Sequence, residues 1–183
     1  MTVERSRLRS RTRALAAIAT LGLAVATPLT SASAQGHDQR SALLQCQGTE
    51  SVSYSPGVTF QQRHLEVATD GRFMSCVDVG GKVKSGSYQE KFPLFAGCDD
   101  LLEGFTARRT FRWSTGDTSV AEISGSSTAV AGQVVTTITG EVVKGRFKGR
   151  TAVEVITLPQ PGALQCLTTG FTGATGVTTL TIA

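Results

Sequence analysis

The chain has 183 residues, with 18 Lys and Arg against 14 Asp and Glu, four cysteines, 20 glycines and a single tryptophan. The positive surplus is confined to residues 1–34, which hold five Arg and one Glu and so leave 13 charges of each sign on the remaining 149 residues. A neutral body gives no support to a nucleic-acid-binding or anionic-membrane-binding surface, and no later stretch approaches the roughly 20 apolar residues of a membrane anchor.

Residues 1–34 read as a secretory signal peptide. Arg5, Arg7, Arg9, Arg11 and Arg13 form a basic n-region, Ala14 to Ala26 an apolar run, and Ala32-Ser33-Ala34 a small-x-small cleavage site, so cleavage is expected after Ala34. The leader has no Arg-Arg pair for twin-arginine export, and Cys46 follows Gln45 where a lipoprotein site wants a small residue. The expected product is a released, single secreted domain spanning 35–183, long enough to bury about 68–70% of its unfolded surface. An even number of cysteines in an exported chain implies two disulfides. Four cysteines allow three connectivities; sequential pairing of Cys46 with Cys76 and Cys98 with Cys166 is favoured because Cys46 and Cys76 fall on strands expected to be neighbours.

In chain order, Thr49 to Tyr54 is a strand with Val52 and Tyr54 on one face, broken by Ser55-Pro56-Gly57 and resumed over Val58 to Phe60. His64 to Ala68 is a strand, Asp70-Gly71 a hairpin turn and Arg72 to Val77 the returning strand. Lys82 to Tyr88 reads as an edge strand closed by Lys91-Phe92-Pro93, and Cys98 to Leu102 as a loop or one short turn. Phe105, Ala107, Phe111 and Trp113 alternate with polar neighbours on the next strand, with Arg109 as the one misfit on its apolar side. Ser114 to Asp117 reverses the chain, Thr118 to Ile123 follows, and Gly125-Ser126-Ser127 ends that strand.

Val130 to Val143 is long and β-branched, and Gly145 to Gly149 is a tight reversal or bulge. Lys144, Arg146, Lys148 and Arg150 alternate as one solvated face. Thr151 to Leu158 has apolar residues on both faces, with Ala152, Glu154, Ile156 and Leu158 together on one of them, which predicts a central strand. Pro159 to Gly162 is a loop, and Val177 to Ile182 a final strand. About nine short strands with regular turns and no helical period predict an all-β sandwich or barrel. One tryptophan on a mid-chain strand beside disulfides favours an immunoglobulin-like β-sandwich.

Chemistry is sparse. No G-x-S-x-G occurs, and with only His37 and His64 in the chain a serine triad would have to use His64. Asp99, Asp100 and Glu103 form the one local acidic cluster, without the spacing of a calcium loop, and read as a solvated turn. Two carboxylates for glycosidase chemistry could come from anywhere in a fold, but sugar clefts usually offer several aromatic platforms. Trp113 reads first as a core residue; Trp113 and Tyr88 are the candidates for a ligand surface. No catalytic residue, metal or cofactor is expected.

Tyr54-Ser55-Pro56-Gly57-Val58-Thr59, Trp113-Ser114-Thr115-Gly116-Asp117-Thr118-Ser119, the Gly140-Glu141-Val142 to Gly145-Arg146-Phe147-Lys148-Gly149 block and Cys166 before Val177 to Ile182 carry a resemblance. Over the body from Cys46 onward the chain resembles a group of small secreted actinobacterial proteins. The resemblance implies export, two disulfides and an immunoglobulin-like sandwich, and supplies no catalytic residue. The expected role is a secreted, non-enzymatic binding or cell-envelope module whose partner is an extracellular polysaccharide, the envelope or a secreted protein. Two alternatives stand beside it. A protease inhibitor would present Lys91 to Leu94 or Pro159 to Gly162 as a constrained loop, and a small hydrolase would use His64 or the Asp99, Asp100 and Glu103 acids.

Overall fold

The computed structural model describes residues 42–183; the leader, its cleavage site and His37 lie outside the described residues. Eight strands follow one another: β1 (Leu44–Val58), β2 (Arg63–Asp78), β3 (Gly86–Ala96), β4 (Phe105–Trp113), β5 (Thr118–Val130), β6 (Gln133–Gly145), β7 (Thr151–Pro159) and β8 (Phe171–Ile182). A 3-10 turn, Cys98–Leu102, links β3 to β4, and a five-residue helix α1, Ala163–Leu167, precedes β8. Each strand pairs antiparallel with its sequence neighbour, and β8 returns to β1 from Leu44 opposite Ile182 to Ser53 opposite Gly173. The result is a closed barrel and not the immunoglobulin-like sandwich expected from the sequence. A sandwich leaves two sheets with free edges, whereas β8 pairing with β1 removes them.

The expected strand count failed at glycines. Asp70-Gly71 is no hairpin turn; it lies inside the 16-residue β2, where Gly71 stands opposite Tyr88. A Cβ at Gly71 would sit 2.1 Å from the Tyr88 ring, so the glycine is the seat for that ring. The same cross-strand pairing puts Trp113 over Gly86 and Phe105 over Gly125, which is why Gly125-Ser126-Ser127 continues β5 instead of ending it. Lys91-Phe92-Pro93 likewise lies within β3, and β7 is an ordinary barrel strand with Val153 facing solvent. The hairpin at Ser114 to Asp117 and the reversal at Gly145 to Gly149 form where expected, the second with Gly145, Phe147 and Gly149 at positive φ.

The end of the barrel carrying Leu44 and Ile182 is packed with Phe73, Tyr88, Phe111, Trp113, Leu180 and their neighbours. Burying a side chain such as Phe111 contributes about 1.5–3 kcal/mol. A smaller cluster of Val58, Leu65, Ala96 and Phe171 fills the opposite end beside Tyr54 and Leu94. The disulfides pair sequentially: Cys46–Cys76 joins register partners on β1 and β2, and Cys98–Cys166 ties the 3-10 turn to α1. Two such bonds belong to an oxidising compartment. Among the described residues no helix is long and apolar enough to cross a membrane.

One seam in the wall is different. β3 and β4 pair only at Gly86–Trp113 and Ser87–Arg112, while every other neighbouring pair is laddered over six residues or more. Below that point the strands are fastened, since the Ser114 hydroxyl accepts from Lys84 N at 3.0 Å and Ser85 N at 3.3 Å. Above it side chains take over.

Candidate functional site

Strand alternation points Glu50 of β1, Tyr88 and Glu90 of β3, Arg109 of β4, Glu154 of β7 and Thr178 of β8 into the barrel, in one layer above the apolar core. Arg109 donates Nη1 to Glu154 Oε2 at 2.5 Å and forks Nε and Nη2 onto Glu90 at 3.0 and 2.9 Å. Its guanidinium also lies 3.9 Å over the Tyr88 ring. Thr178 donates to Glu154 Oε1 at 2.9 Å. The Tyr88 hydroxyl touches Glu154 Oε1 at 2.9 Å and also Glu50 Oε2. The bidentate fork is the strongest geometry available to such a pair.

Burial, opposed by the Tyr88 hydrogen bond and the Arg109 charge, pushes the Glu50 carboxyl up to about 7. Burial and then the Glu154 charge hold the Tyr88 phenol far above its usual range, so it acts only as a neutral hydrogen-bonding group. Burial and the Glu50 charge raise Tyr54 to about 12. Burial alone would lower the Arg109 guanidinium, but Glu154 and then Glu90 hold it up. A carboxyl poised near neutrality suits proton transfer. Here, however, the layer is closed in. Glu154 has 2% of its side-chain surface exposed and Arg109 4%; Glu90, at 17%, has the most contact with water.

The residues nominated from sequence fall elsewhere. Tyr88 is fully buried and Trp113 is 4% exposed, its indole N–H donating to Ser119 Oγ at 2.8 Å, so neither ring forms an outer ligand surface. Both are core aromatics because they sit in the inward phase of β3 and β4. His64 is exposed on β2 and packs on Phe95, ring centres 4.9 Å apart. Asp100 accepts from Gly97 N at 2.7 Å and from Gln62 at 2.8 Å, which lowers its carboxyl and makes it a local brace, while Asp99 and Glu103 face solvent. No group of three His, Cys, Asp or Glu that could hold a metal occurs among the described residues. Lys91 to Leu94 is strand, not loop. Arg146 leaves the expected solvated face, half-buried and bonded to Asp117 at 3.0 Å and Asp78 at 3.4 Å.

Sequence reasoning passed over Glu50, Glu90 and Glu154. The signal was present: Glu50 shares the phase of Val52 and Tyr54, Glu154 that of Ala152 and Ile156, and Arg109 that of Phe111. Opposite charges recurring in the apolar phase of several strands mark a polar layer inside a barrel.

The outer surface has two notable regions. At the end clamped by Cys98–Cys166, Phe60 N donates to Cys166 O at 3.2 Å and Cys98 N to Thr59 O at 2.9 Å, which brings three loops together. Leu164 and Leu167, at i and i+3 on α1, are 73% and 71% exposed there, with Phe60 and Leu102 also exposed. No charged side chain occurs from Val155 to Ala183. On the side wall, β1, β2 and β3 run in register with Ser51, Asp70 and Gln89 in one row and Ser53, Ala68 and Lys91 in another, flooring an open groove of about 420 Å³.

Comparison of the chain with protein-family models, with curated proteins and with solved structures finds no match.

Proposed function

We propose that the protein is an exported binding module that works through its disulfide-clamped end, without catalysis, on an envelope component or secreted protein offering an apolar contact surface. The observation that carries this is the pair Leu164 and Leu167, exposed side by side on a helix held in place by Cys98–Cys166. Folding gains nothing from leaving two leucines in water, and contiguous exposed apolar surface marks interaction sites. The ionisable groups most suited to chemistry are engaged with one another inside the barrel, which favours binding over hydrolysis. Export by the leader, and membership of the secreted actinobacterial group that the sequence resembles, belong to the same proposal.

The test is co-sedimentation of the exported protein with peptidoglycan sacculi, chitin and cellulose, together with crosslinking to secreted proteins. Saturable capture that Leu164→Gln with Leu167→Gln abolishes supports the proposal, and capture unchanged in that double variant overturns it. A second reading rests on the side-wall groove. Its hydroxyls, amide and opposed charges at Ser51, Gln89, Asp70 and Lys91 suit a polyhydroxylated ligand. Capture by polysaccharide alone, lost in Gln89→Ala with Lys91→Ala, would favour it.

A further inference from the structure

The antiparallel count that sets Gly86 opposite Trp113 and Ser87 opposite Arg112 would, if continued, set Glu90 opposite Arg109. No main-chain pairing exists there; the Arg109 fork on Glu90 takes its place. The upper seam is therefore held by an ion pair whose arginine is shared with Glu154 of β7.

Proton counting constrains this layer. The Tyr88 hydroxyl has one hydrogen and touches two carboxyls, Glu50 and Glu154. If it donates to either one, the other faces an oxygen lone pair unless a further proton is present. Glu154 already receives Arg109 and Thr178, whereas among the described residues Tyr88 is the one side-chain partner of Glu50. The extra proton thus belongs on Glu50, which donates to the Tyr88 oxygen while Tyr88 donates to Glu154. With that proton the layer carries three carboxyls, one of them neutral, against one guanidinium.

The geometry points to a proton-operated latch: the proton between Glu50 and Tyr88 leaves Arg109 to clamp Glu90 and close the β3–β4 seam, and its loss releases that clamp. A charged Glu50 competes for Arg109. Of the two current partners Glu90 is the one to yield, because its 17% exposure lets water replace the guanidinium, while Glu154 at 2% has no such substitute. Among the described residues no other base faces the layer. β1 contributes Glu50 and Tyr54, β3 Tyr88 and Glu90, β4 Arg109 and β7 Glu154. β2 and β8 offer only the hydroxyls of Thr69 and Thr178, and β5 and β6 present Ala121, Ile123, Ile138 and Val142. The carboxyl raised to about 7 places the change near neutral pH. The seam would hinge at its fastened end, where Trp113 covers Gly86.

The test is amide hydrogen exchange by mass spectrometry on the exported protein at about pH 5.5 and about pH 8.5, corrected for the intrinsic rate. The paired amides of 89–96 bond to β2 and those of 105–111 to β5, not across the seam. As the freed strand edges fray, peptides over 89–96 and 105–111 are expected to lose protection roughly tenfold or more at the higher pH, with β6 and β7 unchanged, the size of effect that one proton near neutrality produces. Glu50→Gln, whose amide can still donate to Tyr88, should keep the seam protected at both pH values, and Glu90→Gln should leave it loose at both. Wild-type protection that does not change with pH, pH dependence that persists in Glu50→Gln, or loss of protection in all strands together would each overturn the latch.

Discussion

Glu90 and Arg109 face each other across the β3–β4 seam at the positions a continued ladder would pair, and they are joined by a bidentate guanidinium–carboxylate contact instead of main-chain hydrogen bonds. A buried pair of this kind is weak ground for claiming net stability, because desolvation offsets attraction, yet removing one partner strands the others. Arg109→Met should cost about 3–5 kcal/mol in urea unfolding, since Glu90 and Glu154 lose their counter-charge together. A loss below 1 kcal/mol would mean that water already serves these carboxylates.

The Glu50 carboxyl makes stability fall as pH rises. In the native protein it holds its proton up to about 7, while in the unfolded chain it loses it near 4.5. Its contribution is full below about 4.5, is lost progressively up to about 7 and is level beyond, a span of about 3 kcal/mol. Asp78 and Asp100 are lowered and act in the opposite sense, losing their contribution only in stronger acid. Denaturant titrations at stepped pH should therefore show maximal stability in mildly acid solution. Glu50→Gln should flatten the decline above it.

Gly71 is required by the ring opposite. Gly71→Ala would drive a Cβ to 2.1 Å from the Tyr88 ring, which is fixed by Arg109 above it and by both glutamates at its hydroxyl. Overpacking of this kind costs about 1–3 kcal/mol. Tyr88→Leu alongside Gly71→Ala should recover part of the steric loss in thermal unfolding and lose the hydroxyl's bonds; full additivity of the two changes would show that they do not meet.

Cys98–Cys166 closes 68 residues and Cys46–Cys76 closes 30. In the loop-entropy account their removal costs about 4.5 and about 3.5 kcal/mol. Cys98→Ser with Cys166→Ser should in addition weaken capture of any partner at the Leu164 and Leu167 face, because the helix loses its tie to the 3-10 turn. Cys46→Ser with Cys76→Ser should lower stability and leave capture intact under conditions where both variants are folded.

Local order was legible in the sequence wherever a single strand or turn decides it. The strand alternation ending in Phe111 and Trp113, the reversals at Ser114 to Asp117 and Gly145 to Gly149, and the pairing of Cys46 with Cys76 all depend on short-range chemistry or on neighbouring strands. Arg109 was visible as a misfit for the same reason, because period two shows which side chain breaks a face. Glu50 and Glu154 broke their faces in the same way, but that they come together with Arg109 was not legible. Glu50, Glu90 and Glu154 lie on three different strands, and only the closed register brings them to one layer.

Glycine misled for an equally physical cause. Gly71 and Gly125 carry the local signature of a turn, and the deciding fact, an aromatic ring on the next strand, is not local. Whether long antiparallel strands close on themselves or stack as two sheets is settled by β8 meeting β1, a contact between the first strand and the last. Sequence alone thus determined the all-β class, the neutral body and the polar misfit at Arg109, and it favoured the sequential cysteine pairing among three that the structure then decided. The tertiary structure decided the barrel, the proton-holding layer within it and the exposed apolar end, because each depends on contacts between residues far apart in the chain.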